Sequence, residues 1–172
     1  MPQKRADNRV AGETIIGIDP GGEVTGFGVV RRAGSGVEML GCGVTRARRG
    51  ESVAGKLSRI FHFIREQINH YRPCCLVVED VFYGKNVQSL KAIGQVRGVI
   101  ILAGALAGLP VHEYSPREVK KSVVGRGDAS KEQVQQMVKS LLGLQTAPSP
   151  SDTADALAIA LCHSHRPNYM IS

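Results

Sequence analysis

Two short apolar runs, Thr14-Ile15-Ile16-Gly17-Ile18 and Cys74-Cys75-Leu76-Val77-Val78, each end on a carboxylate, Asp19 and Glu79. A short, nearly uninterrupted apolar run bounded by breakers reads as a buried strand, and the acid marks where that strand reaches the surface. Pro20-Gly21-Gly22 turns the chain after the first run, and Pro73 precedes the second. Gly26 to Arg32 and Val37 to Thr45 flank Ala33-Gly34-Ser35-Gly36 as a hairpin. A helix follows over about residues 51 to 71, with Leu57, Ile60, Phe61, Ile64 and Ile68 at helical spacing.

The second half alternates in the same way. A polar loop, Phe82-Tyr83-Gly84-Lys85-Asn86, leads into a long helix from Val87 to about Ala107, and Leu109 to Tyr114 is a short strand. Ser115-Pro116-Arg117-Glu118 joins a cap hydroxyl, a proline at the first helical position and a glutamate at the third, which starts a helix. Ser130 begins another, ending near Gly143, and Ser149-Pro150-Ser151-Asp152 opens the last, whose Ala154, Leu157, Ala158 and Leu161 form a core-facing stripe. Three strands, a helix, a strand, a helix, a strand and then helices predict an α/β domain, a mixed sheet covered by helices. That domain is expected over residues 14–166, between a flexible N-terminal arm over 1–13 and a C-terminal tail over 167–172.

With 172 residues the chain has room for one sizeable core. Its 22 lysines and arginines against 15 acids, a net charge of +7, favour an acidic partner, nucleic acid or a membrane surface. Val99 to Leu109 is interrupted by Gly104 and Gly108 and falls short of the roughly 20 apolar residues of a membrane span, so a buried helix and no membrane partner are expected. The first 13 residues hold no apolar stretch of signal-peptide length, and a cytoplasmic location follows as the expectation. Cys42, Cys74, Cys75 and Cys162 lack C-x-x-C spacing, which fits reduced thiols. Cys162-His163 and His165 lack a second ligand pair and do not amount to a zinc site.

Asp152 and Asp155 lie three residues apart at the start of the last helix, on one face. With Asp19 and Glu79 they make four carboxylates, a donor set that suits a pair of hard cations such as Mg²⁺. Plainer readings stand beside this one. Asp-Pro-Gly-Gly is ordinary turn chemistry, and an acid in the first helical turn is stabilised by the helix dipole. The dipole explains Asp152 better than Asp155. Bare glycines in Gly26-Phe27-Gly28 would let a phosphate approach the backbone near Asp19.

Five blocks together resemble the RuvC-type Holliday junction resolvases of the ribonuclease H-like superfamily. They are Ile16-Gly17-Ile18-Asp19-Pro20-Gly21; Val78-Glu79-Asp80-Val81-Phe82 with Lys85-Asn86; Gln95-Val96-Arg97-Gly98; Val119-Lys120 with Val123-Val124-Gly125; and Asp152-Thr153-Ala154-Asp155-Ala156-Leu157-Ala158. They occur in the family's order. The resemblance implies a ribonuclease H-like fold with a mixed five-stranded sheet flanked by helices. It also implies an endonuclease that cuts four-way DNA junctions by paired nicks in recombination and repair, leaving 5′-phosphate and 3′-hydroxyl ends.

By the same resemblance Asp19, Glu79, Asp152 and Asp155 are the catalytic acids holding two Mg²⁺ ions, with Mn²⁺ a possible substitute. Lys120 and Lys131 correspond to basic positions near the scissile phosphate, and Phe82 to an aromatic inserted at the junction centre. Tyr83, Lys85, Asn86, Arg97 and Lys121 are expected at the DNA. Arg46, Arg48, Arg49, Arg117 and Arg126 are further cations for the junction arms. The expected partners are four-way junction DNA, a second copy of the chain in a symmetric homodimer docked through the Val87–Ala107 helix, and the RuvAB branch-migration complex. A ribonuclease of the same superfamily acting on structured RNA is the nearest competing enzyme. A sugar-kinase-like phosphotransferase would need about twice this length, and a DNA-binding module without cleavage would not need four convergent acids.

Overall fold

The computed structural model describes residues 12–80 and 87–166. Five strands, β1 (Glu13–Asp19), β2 (Val24–Ala33), β3 (Gly36–Arg46), β4 (Cys75–Glu79) and β5 (Val111–Tyr114), form one sheet in the order β3-β2-β1-β4-β5. The first three strands run antiparallel as a meander. β4 and β5 join parallel to β1. The mixed sheet expected from the order of elements is therefore present, and its parallel half carries both strand-end acids.

Five helices cover the two faces: α1 (Val53–Tyr71), α2 (Val87–Leu106), α3 (Pro116–Val124), α4 (Lys131–Leu141) and α5 (Ser151–Ser164). Alternation along each strand divides the core in two. Ile16, Ile18, Phe27, Val29, Leu76 and Val78 pack against Ile60, Ile64 and Ile68 of α1 and Val96, Ile100 and Ala103 of α2. On the other face Ile15, Val30, Val77 and Tyr114 meet α3, α4 and α5. Capping side chains start the helices where the sequence placed them: Ser52 accepts from the Gly55 amide at 3.1 Å, and both Ser115 and Ser130 close full capping boxes. β5 begins two residues later than expected, because Pro110 donates no hydrogen bond and only its carbonyl joins the ladder, accepting from Leu76 at 2.9 Å.

Two expectations change. Helix α5 is buried almost all round and lies directly on β1 and β2, which the glycines there permit. A Cβ on Gly17 would sit 2.4 Å from the Ala156 carbonyl oxygen, one on Gly26 2.4 Å from that of Asp152, and one on Gly28 2.7 Å from the Leu157 nitrogen. The bare backbone of β2 thus seats a helix rather than a phosphate. Helix α2, in turn, is not a wholly buried helix. Ile93, Val96, Ile100, Ala103 and Gly104 are buried, while Gly94, Gly98, Leu102 and Leu106 are exposed at four-residue spacing. By length and composition α2 is long and apolar enough to cross a membrane, contrary to the shorter run taken from the sequence. Its buried stripe is spent on the sheet and α1.

Candidate active site

β1 and β4 are adjacent and parallel, with Ile18 opposite Val78, so Asp19 and Glu79 emerge side by side at the carboxyl ends of neighbouring strands. Both follow the side-chain alternation of Ile15 and Val77 and face α5. Such strand ends in open α/β sheets are where ligands bind. The first turns of α5 bring the other two acids to the same place: the Asp152 backbone rests on Gly26, which pairs across the sheet with Asp19. Asp155, one turn on, lines a cleft of about 230 Å³ with Asp19, Glu79, Lys120 and Lys131.

The electrostatics of Asp19 describe the site. Burial, then the neighbouring carboxylates of Glu79, Asp155 and Asp152, push its carboxyl up to about 8, and Lys131 only partly offsets them. Pro116, Val119, Val134 and Ala158 complete the cleft wall, which explains the burial contribution. An anionic Asp19 here calls for more positive charge than one lysine supplies. All four acids offer hard oxygen donors, so the donor set fits divalent cations.

Lys131, the first residue of α4, places Nζ 2.8 Å from the Asp155 carboxylate, and that bond raises its own pKa. Lys120 enters the cleft from α3. Both helices are aimed by their capping boxes, a local signal present in the sequence. The apolar wall residues were missed there because nothing local distinguishes them from ordinary core.

The DNA-contact expectations fare unevenly. Lys121 is exposed on α3, and Arg46, Arg48, Arg49 and Arg117 are exposed as well. Arg126 pairs with Asp128 at 2.8 Å. Arg97 is paired within the chain: its guanidinium, mostly covered, bonds Glu113 and lies 3.1 Å from Asp80. The parallel pairing of β4 with β5 sets these two acids near each other at the sheet edge, where Arg97 bridges them. Phe82, Tyr83, Lys85 and Asn86 lie outside the described residues.

A mixed five-stranded sheet, helices on both faces and acids gathered at the ends of β1, β4 and the start of α5 define a ribonuclease H-like domain. The sequence matches the family described as crossover junction endodeoxyribonuclease RuvC over residues 15–163, and the chain belongs to that family. The RuvC of Tolumonas auensis is 50% identical over 157 residues, covering 91% of this chain and 90% of that protein. The RuvC of Pelotomaculum thermopropionicum is 45% identical over 151 residues, covering 88% and 92%. Among solved structures, Thermus thermophilus RuvC in complex with a Holliday junction substrate superimposes with a TM-score of 0.84 at 37% identity, covering 88% of this chain and 93% of that one. Enzymes of this family are metal-dependent nucleases.

Proposed function

We propose that the Asp19 cleft is the catalytic centre at which this chain, a structure-specific endonuclease, resolves four-way DNA junctions by paired symmetric nicks in homologous recombination and repair. The observation that carries the assignment to this cleft is Asp19 itself, a carboxyl destabilised as an anion by burial and by three other carboxylates, in a cleft that two lysines also line. Asp19, Glu79, Asp152 and Asp155 would hold two Mg²⁺ ions, with Mn²⁺ able to stand in. Such a pair supplies activation of a water and neutralisation of charge on the leaving oxygen.

The chain's own residues do the rest. Two strand ends and one helix fix the four acids in place, while Lys120 and Lys131, the cationic side chains of the cleft, draw in the substrate's anionic phosphate. Lys120 and Lys131 offer ammonium groups to the charge that develops on it. Water adds to phosphorus and the bond to the 3′ oxygen breaks, so a 5′-phosphate and a 3′-hydroxyl result and no protein nucleophile is consumed. Phe82, with Tyr83, Lys85 and Asn86, is assigned to the junction centre, where an aromatic stacked on an unpaired base contributes about 1–3 kcal/mol. Lys121 is assigned to a junction arm, and Arg97 to bracing the strand end that carries Glu79.

A junction has two-fold symmetry, and paired nicks call for a symmetric dimer with two such clefts. The open stripe of Gly94, Gly98, Leu102 and Leu106 on α2 is the surface assigned to that dimer, since among the described residues nothing outside the helix's own backbone and the adjoining residues comes within 4 Å of a Cβ built on either glycine. The family likeness supports action in the cytoplasm together with the RuvAB branch-migration complex.

The test is cleavage of a synthetic four-way junction in Mg²⁺ beside linear duplex of the same sequence. Opposed nicks in the junction with the duplex largely intact are expected; equal cleavage of both refutes junction specificity. In the same assay Phe82→Ala should lower the cleavage rate more than the affinity, and an unchanged rate would remove Phe82 from the junction centre.

A further inference from the structure

Away from the acids, at the other ends of the same elements, Cys75 on β4, His112 on β5 and His163 on α5 bring a thiol sulfur and two imidazole nitrogens within 4.8 Å of one another. We propose that these three side chains form a Zn²⁺ site with three protein ligands, independent of the nuclease centre. Strand pairing creates the cluster: β4 and β5 run parallel with Val77 opposite His112, so Cys75, Val77, His112 and Tyr114 project to one face. The last turn of α5 lowers His163 onto that face, its ring centroid 4.4 Å from that of His112.

One thiolate and two imidazoles are zinc donors, at about 2.3 Å for sulfur and about 2.0–2.1 Å for nitrogen. Tetrahedral ligands at those lengths stand roughly 3.5 Å apart, so the cluster closes on an ion by side-chain rotation. His112 is half-buried, at the outer side of the cluster. The Nδ1 of His163 lies 2.9 Å from the Tyr114 hydroxyl, and the metal is assigned to the other ring nitrogen, Nε2. A metal-bound histidine typically has this kind of partner on its other nitrogen. Cys75, Tyr114 and His163 are 4%, 4% and 6% exposed and His112 is half-buried, so the site is walled on the core side and a solvent water would complete the coordination. Binding converts the Cys75 thiol to thiolate and releases its proton to solvent.

The location gives the ion a consequence. Cys75 and Glu79 are four residues apart on β4, about 13 Å, and Asp155 and His163 eight apart on α5, about 12 Å. One ion would thus tie together β4, β5 and α5 at the ends opposite Glu79, Asp152 and Asp155.

The test titrates the full chain, freed of transition metals and held in excess Mg²⁺ to occupy oxygen-ligand sites, with Co²⁺ as the optical probe and Zn²⁺ as the displacing ion. A thiolate-to-Co²⁺ charge-transfer band saturating at one ion per chain and bleached by Zn²⁺ is expected. Cys75→Ser should abolish the band. His112→Ala, a half-buried position that folding tolerates better, should weaken Zn²⁺ binding by about tenfold or more and remove the rise in Tm that Zn²⁺ gives the unaltered protein. Absence of the band, its survival in Cys75→Ser, or equal Zn²⁺ affinity in His112→Ala would each overturn the site.

Discussion

Asp19 stands out, because burial and then its neighbouring carboxylates make its charge costly. In the metal-free protein its carboxyl is raised from 3.8 to about 8, so the folded state holds a proton that the unfolded chain releases over that interval. Stability from this group is complete below about pH 4 and is lost as the pH rises through about 8. Melting temperature without metal should accordingly fall from mildly acidic to mildly alkaline pH, and excess Mg²⁺ should flatten the slope. Thermal melts across that range check this, and a rise with pH would contradict the charge balance described. Asp155 carries a second prediction, since it both lines the cleft and holds Lys131 at 2.8 Å. Asp155→Asn should lower nicking by roughly 10²-fold or more while junction binding persists, as gel-shift and cleavage assays on one preparation would report.

Elements place these residues, and α5 is the one whose seating matters most. Its contact with β1 and β2 is backbone on backbone, made possible by Gly17, Gly26 and Gly28, and it is the contact that sets Asp152 and Asp155 against Asp19. Overpacking such a seam costs about 1–3 kcal/mol. Gly26→Ala, whose new methyl would meet the Asp152 carbonyl oxygen, should lose about that much stability in denaturant unfolding, and should lose nicking activity because Asp152 moves. Helix α3 depends on its start instead. Ser115→Ala removes a cap worth about 0.5–2 kcal/mol and should loosen the helix that presents Lys120. The helices and their starts were legible in the sequence because caps and periodicity act over a few neighbouring residues. The destination of the β2 glycines was not, since what approaches them comes from more than a hundred residues further along the chain.

At the scale of the whole molecule, the +7 charge and the cleft describe two different terms of DNA binding. Lys121, Arg46, Arg48, Arg49 and Arg117 are exposed; if they neutralise phosphates as proposed, affinity should fall steeply and log-linearly with salt. The proposed dimer surface on α2 has its own test: Leu102→Arg, on the open stripe, should shift the protein to monomer in size-exclusion chromatography and reduce paired nicking, and an unchanged elution volume would move the interface elsewhere. The sequence by itself determined the order of strands and helices, the four acids at their ends, the two lysines and the family, because each is written in short-range patterns of hydrophobicity, capping and motif. Only the tertiary structure decided that Asp19 is the strained acid, that Arg97 braces Asp80 and Glu113, and that Cys75, His112 and His163 meet. Those outcomes come from strand pairing and from the depth at which α5 sits, long-range packing that no local window of residues contains.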